Sequence, residues 1–512
     1  MAIKTVKTES VFGGWQATDN FGGEGQFRRS IAIDPYMPES DSDKYPSGVI
    51  RPTAMAKFSA SEITGVPLWI VTNPKNTNAY VYANDGKVHT IASDLTMGTA
   101  LNSGTALTAS SGNGAEYYDN YLYLAKNADV ARYGPLNGTP SLTQDYWSNT
   151  LGLTSLTDTT YPSINGVEMP NHVMYRYTKD KLYITDVNDN KGILNYIKTT
   201  KTSVEGDTDD SSTYEALDFD YGVYPTAIEG YGTNLAIALI EGVDTTTKQK
   251  SAKLSFWDTT SASYNKITDV EFPDPLITAL KNVNGRLYVF SGYASGGCRI
   301  SVFAGGYSFS EVAWIPDIYP PLQGAVDHLL ERVVMGSNTT VPEASASVFA
   351  IGSPDRRVPM GLHNILRANA TGANPWVTAL KYTQQDGNLD QPIVGYDDDT
   401  EKGLSKLSTT YGDYNVFQDT TYRFGREFKL RELRLPLSVA ISTNTSFIVK
   451  FIDDTGATTL ATINNTNNAG QRNIKLNPEA TFYNKGYLQI EWTGTALCPI
   501  SLPIEYEFEV LE

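Results

Sequence analysis

Short apolar runs recur along most of the chain at an interval of about fifty residues. They read Pro67-Leu-Trp-Ile-Val-Thr72, Tyr121-Leu-Tyr-Leu-Ala125, Lys181-Leu-Tyr-Ile-Thr-Asp186, Asn234-Leu-Ala-Ile-Ala-Leu239, Arg286-Leu-Tyr-Val-Phe290, Arg332-Val-Val-Met335 and Pro392-Ile-Val-Gly395. Most follow an Asn, Asp or Gly turn (Asp119-Asn120, Lys179-Asp180, Gly232-Thr-Asn234, Asn284-Gly285) and precede a polar loop and a second strand, as in Ser251-Ala-Lys-Leu-Ser-Phe-Trp257. A four-stranded sheet with its turns needs roughly 40–50 residues, so the spacing predicts an array of like β units. Closing such an array into a ring leaves only short sheet edges. The expectation is an all-β chain with a β-propeller of about seven blades; a stack of β-sandwiches is the alternative. Helical periodicity is scarce, its best stretch being Gly324-Ala-Val-Asp-His-Leu-Leu-Glu-Arg332, two turns leading into a strand.

Three textures divide the chain. Residues 1–60 form a Gly-rich, irregular arm, residues 61–415 carry the repeats, and residues 425–512 turn to long alternating strands, predicting a C-terminal, jelly-roll-like β-sandwich. In Ile504-Glu-Tyr-Glu-Phe-Glu-Val510 the residues Ile504, Tyr506, Phe508 and Val510 should face a core and the three glutamates water. The arm holds Phe12, Trp15, Phe21, Phe27, Ile31 and Ile33, which would be costly to leave in water. Its Ile31-Ala-Ile33 strand is expected to pair with the propeller. Its tip, through Phe12, Trp15 and Phe21 with Arg28 and Arg29, is expected to make assembly contacts.

Composition agrees with the pattern: 32 Tyr suit half-buried pleated surfaces, and 42 Gly with 25 Pro supply turns. A net charge of −17 argues against a broad nucleic-acid surface, because phosphate neutralisation needs clustered Lys and Arg. Cys298 and Cys498 lie far apart, which is no disulfide framework. The opening residues lack the apolar core of a secretory signal, and no run approaches the length of a membrane-spanning helix. The expectation is a protein made in a cytoplasm that remains soluble.

Chemistry is sparse. His89, His172, His328 and His363 are scattered, without the spacing of a zinc site. No Gly-x-Ser-x-Gly elbow and no phosphate loop occurs. Asp186-Val-Asn-Asp-Asn-Lys-Gly192 resembles a calcium loop, but its glycine comes one residue late and Ile197 stands where a bidentate Glu belongs, so it reads as an Asx-rich turn between strands. Asp397-Asp-Asp399 and Asp207-Thr-Asp-Asp210 read as solvated loops. The chain is expected to be no enzyme and to need no metal or cofactor.

Two end motifs carry a family likeness. Gly13-Gly-Trp-Gln-Ala-Thr18, then Arg28-Arg-Ser-Ile-Ala-Ile-Asp34 and Ser47-Gly-Val-Ile-Arg-Pro52, resemble the start of tailed-bacteriophage propeller proteins of the tail or head-to-tail region. The close, Leu488-Gln-Ile-Glu-Trp-Thr-Gly494 and Ile500-Ser-Leu-Pro-Ile-Glu-Tyr506, resembles the C-terminal sandwich of similar phage structural proteins. The resemblance implies a virion structural protein, a tail or nozzle-ring subunit acting through protein–protein contacts. Its partners would be other tail or connector proteins and copies of itself in a symmetric homo-oligomer. DNA could pass through such a ring without specific binding. The alternative is a tail-fibre or tail-tip propeller that binds or cleaves carbohydrate on Tyr and Trp platforms.

Overall fold

The computed structural model describes residues 2–10, 14–15, 26–35, 49–58, 63–74, 78–101, 106–107, 113–164, 166–177, 181–201, 208–242, 251–261, 269–303, 308–337, 346–352, 361–370, 375–385, 388–398, 400–408 and 415–511. The chain divides into two compact units, one of Lys57–Ala346 with Ala370–Lys406, the other of Met1–Ala56, Ser347–Asn369 and Leu407–Glu512.

Among the described residues seven four-stranded sheets follow one another along the chain. Blade 1 is Pro67–Thr72, Ala79–Ala83, Val88–Ile91 and Met97–Ala100. Blade 2 is Gly114–Tyr118, Tyr121–Ala125, Val130–Gly134 and Ser141–Thr143. Blade 3 is Met174–Tyr177, Lys181–Asn188, Lys191–Lys201 and Thr208–Tyr221. Blade 4 is Val223–Tyr231, Asn234–Glu241, Ala252–Trp257 and Val270–Phe272. Blade 5 is Leu276–Val283, Arg286–Gly292, Cys298–Phe303 and Phe309–Ile315. Blade 6 is Val326–Leu329, Arg332–Ser337, Ser347–Gly352 and Gly361–Arg367, and the division into units falls inside it. Blade 7 is Trp376–Gln385, Asn388–Asp397 and Lys402–Leu407, with Met55–Lys57 as its fourth strand. Each blade's first strand lies beside the first strand of the next, and Trp376–Gln385 lies beside Pro67–Thr72. The fold is a seven-bladed β-propeller.

Local chemistry explains the hairpins. Asp119-Asn120, Asp189-Asn190 and Asn284-Gly285 all have positive φ, the backbone of a two-residue turn whose twist matches the strands. The Asp186–Gly192 segment is therefore a hairpin joining the second and third strands of blade 3. Six of the seven repeats are the second strands of their blades. Pro67–Thr72 is instead a first strand, and the true counterpart in blade 1 is Ala79–Ala83. Both strands are apolar along most of their length because both are covered on two faces, so composition alone cannot rank them. The helical pattern at Gly324–Arg332 also fails. Only Gln323–Ala325 forms a 3-10 turn; Val326–Leu329 and Arg332–Ser337 are paired strands, and Leu330 takes a positive φ between them.

The other unit holds a nine-stranded sheet whose main path runs Ala2–Thr8, Ile504–Val510, Tyr422–Pro436, Ala480–Trp492, Asn415–Gln418 and Arg29–Ile31. Ser446–Asp453 pairs with Ala480–Trp492 and Gly456–Asn464, and Asn473–Leu476 pairs with Tyr422–Pro436. Phe428, Leu430, Phe451, Phe482, Leu488, Ile490 and Phe508 fill its core. In the last strand Ile504, Tyr506 and Phe508 are buried as the alternation requires. Glu509 breaks the pattern: it is buried too and accepts from Arg431 Nε at 2.7 Å. The arm's strand pairs Val416 with Ile31 rather than with a propeller blade, because Phe27 and Ile33 join this core and Phe27 packs on Phe417 at 5.3 Å.

Candidate functional site

A repeated tetrapeptide builds the propeller's inner wall: Thr226-Ala-Ile-Glu229, Thr278-Ala-Leu-Lys281 and Thr378-Ala-Leu-Lys381, in the first strands of blades 4, 5 and 7. Each threonine falls where the strand register shifts, the signature of a β-bulge that re-aims a side chain. Thr226 Oγ1 donates to the Ile277 carbonyl of blade 5 at 2.6 Å, and Thr378 Oγ1 to the Pro67 carbonyl of blade 1 at 2.6 Å. The alanine and the Leu or Ile that follow are buried. The charged residue closing each motif joins a ring of polar side chains on the first strands.

That ring comprises Glu116 of blade 2, Tyr175 of blade 3, Glu229 of blade 4, Lys281 of blade 5, Asp327 of blade 6 and Lys381 of blade 7, opposite Tyr123, Tyr183, Ala236, Tyr288, Val334 and Ile393 on the second strands. Tyr175 donates its hydroxyl to Glu229 Oε1 at 2.9 Å. Asp327, 1% exposed, receives Lys281 Nζ and Lys381 Nζ at 3.2 Å each and the Tyr382 N–H at 2.9 Å. Burial alone would raise the Asp327 carboxyl, but Lys381 and Lys281 outweigh it and hold the group well below the usual range. Glu116 and Glu229 go the other way, raised by burial against the pull of Lys381 on the first and Lys281 on the second. Chemically the ring is a set of carboxyl groups, lysines and one phenol that answer one another across blades. It ties blades 5, 6 and 7 together at one carboxylate.

His172, Asp186 and Asp398 are buried polar groups engaged in the same way. His172 places Nδ1 3.1 Å from the Thr185 carbonyl and Nε2 2.9 Å from that of Asn127, with Asp186 at 3.7 Å. Asp186 accepts from the Thr157 N–H at 2.9 Å, and burial raises its carboxyl despite His172. Asp398 caps its own turn through Thr400 and Glu401, while Asp399 and Asp207 lie outside the described residues; Thr208–Asp210, expected as loop, instead open the strand Thr208–Tyr221 and pair with Thr199–Lys201. Among the described residues no three His, Cys, Asp or Glu side chains gather as metal ligands. Cys298 and Cys498 are free and buried, and burial pushes the Cys498 thiol up to about 12.

Of the assembly residues read from the sequence, Phe12 and Phe21 lie outside the described residues, as does the Trp15 side chain. The Gly14–Trp15 backbone pairs in parallel with Gln26–Phe27. Arg28 lies over the Tyr487 ring at 4.5 Å and its N–H donates to the Gln418 carbonyl at 3.1 Å. Arg29 stands opposite Gln418 in the adjoining strand pair. Sequence reading passed over the inner ring, although the Thr-Ala-Leu/Ile-charged repeat at blade spacing was there to find.

No protein-family model and no curated relative matches the chain. Solved structures with a similar trace include the Neurospora crassa Pan2 WD40 domain, at 8% identity and TM-score 0.42, covering 69% of this chain and 94% of that one. The computationally designed Ika8 protein aligns at 11% identity and TM-score 0.39, covering 69% and 99%. The Myceliophteria thermophila Cps50 (Swd1) β-propeller domain aligns at 9% identity and TM-score 0.39, also covering 69% and 99%.

Proposed function

We propose that this chain is a binding scaffold and a structural subunit of a tailed-phage virion, seated in the tail or at a head-to-tail nozzle and working through protein–protein contacts. The observation that carries the reading is the way strands far apart along the chain are fastened together. Ala2–Thr8 pairs with Ile504–Val510 in unbroken register from Ala2↔Val510 to Thr8↔Ile504. Beneath that seam Asp419 accepts hydrogen bonds from Thr8 Oγ1 at 2.5 Å, from the Tyr422 hydroxyl at 3.3 Å and from the Tyr506 hydroxyl. Blade 7 is likewise completed by an early strand, with the Phe58 N–H donating to the Leu404 carbonyl at 2.9 Å and Lys57 paired with Glu401. A ring or sheet closed by distant strands opens only when those strands leave together, which suits a protein that must persist in a released particle. The mutual neutralisation of the inner ring suits a rigid frame, and no catalytic or metal-dependent step is assigned to it.

In this reading other tail or connector proteins and further copies of the chain are the partners, and the virion is its location. Mass spectrometry and immunogold microscopy of gradient-purified particles test the reading. Label repeated at one axial position is expected. Absence of the chain from purified particles would refute it.

A further inference from the structure

The nine-stranded sheet ends on strands of two kinds. Ala2–Thr8 carries Lys4 and Lys7, Arg29–Ile31 carries Arg29, and Asn473–Leu476 carries Lys475. A charged side chain on an outer strand discourages another strand from adding there. Among the described residues Gly456–Asn464 pairs only with Ser446–Asp453, and its sequence, Gly-Ala-Thr-Thr-Leu-Ala-Thr-Ile-Asn, has no charge and no proline. Gly456, Ala457, Thr458, Thr459 and Thr462 are exposed, whereas Ile463 is buried in the core and Leu460 packs against it. The strand is thus anchored on one side, and no described strand pairs with its other edge.

We propose that Gly456–Asn464 is a self-association edge that pairs antiparallel with the same strand of a second copy about a two-fold axis. Unpaired N–H and C=O groups in a strand are satisfied by another strand, and an uncharged strand can lie against itself without like-charge repulsion. The flanks choose the orientation. Asp453 and Asp454 precede the strand, Lys485 Nζ standing 3.7 Å from Asp454 so that the turn keeps a single net negative charge, and the neutral Asn464–Asn468 turn follows it. Parallel pairing would set acidic turn against acidic turn, while antiparallel pairing sets each against the neutral one. A two-fold contact buries the same patch on both copies, so it closes and does not propagate.

The inference deepens the scaffold reading by naming a contact surface, and it rests on that reading only for its use in a particle. Sedimentation velocity of the purified full chain, with hydrogen exchange, tests it apart from particle labelling. A concentration-dependent dimer is expected, with slowed exchange confined to 456–464. Because the chain's net charge of −17 opposes self-association, the dimer should tighten with salt. Thr459→Lys adds a like charge at the seam and should weaken dimerisation about tenfold or more while leaving the melting temperature unchanged. A wild-type chain that stays monomeric at high micromolar concentration, or a dimer that Thr459→Lys leaves intact, would overturn the proposal.

Discussion

Replacing Asp327 by alanine tests whether the inner ring holds blades 5, 6 and 7 together. The carboxylate is 1% exposed and meets two lysine ammonium groups at 3.2 Å each. At an effective dielectric near 20, each pair is worth about 5 kcal/mol of Coulomb attraction, offset by several kcal/mol of desolvation per ion. The alanine variant removes the attraction, leaves Lys281 and Lys381 partly buried without their shared partner, and takes away the carboxylate oxygen 2.9 Å from the Tyr382 N–H. Breaking a buried pair in this way costs about 3–5 kcal/mol. For a domain of this size that is a fall in melting temperature of about 5–10 °C. Hydrogen exchange should speed up first in Leu276–Val283, Val326–Leu329 and Trp376–Gln385. The combined variant Lys281→Met, Asp327→Leu, Lys381→Met removes the carboxylate together with both of its lysines, leaving Glu116 and Glu229 in place, and should be less damaging than the single variant, since apolar replacement of a buried ion triad is often neutral. Because the carboxyl sits below its ordinary range, its contribution is present above the unfolded value of about 3.9 and is lost as the pH falls through the folded value. The Asp327→Ala deficit at pH 7 should therefore begin to shrink below about pH 4. An alanine variant melting within about 1 °C of wild type would refute the reasoning, and so would a combined variant less stable than the single one.

Two further substitutions probe packing and titration separately. Asp419 is raised by burial in spite of its hydroxyl donors, so its favourable state is present below the unfolded value and is lost as pH rises through the folded one. The melting temperature of Asp419→Asn minus that of wild type should therefore climb from pH 4 to pH 7; a flat difference would show that the carboxyl is not displaced. In blade 2, a Cβ on Gly114 would sit 2.0 Å from the His172 carbonyl oxygen, a backbone atom that cannot swing away, so Gly114→Ala should cost about 1–3 kcal/mol or more. Gly98→Ala, with Thr90 O at 3.5 Å as its nearest neighbour, is the matched control and should melt within a degree or two of wild type.

Much of this architecture is local and so is written in the order of residues. Runs such as Arg286–Phe290 between turn residues with positive φ dictate a strand, a tight hairpin and another strand, and their spacing sets the number of sheets. The alternation in Ile504–Val510 is local as well; it fails at Glu509, where a distant Arg431 makes burial tolerable, and it fades at Val510, which is only half-buried. Rank within a blade is not local: Pro67–Thr72 and Ala79–Ala83 are equally apolar, and only the ring puts the first innermost. The 324–332 stretch has helical spacing, yet pairing across a turn at Leu330 and burial of Val333, Val334 and Met335 overrode a propensity worth tenths of a kcal/mol per residue. The inner ring stood between these extremes, with a legible repeat but an illegible purpose, since Lys281 and Lys381 become partners only when the sheets bring Asp327 between them. Closure was wholly invisible. Nothing in Ala2–Thr8 or Met55–Lys57 names Ile504–Val510 or Lys402–Leu407 as a partner, because a strand's hydrogen-bonding edge is the same backbone everywhere. Which edges meet depends on where the rest of the chain has already left an opening.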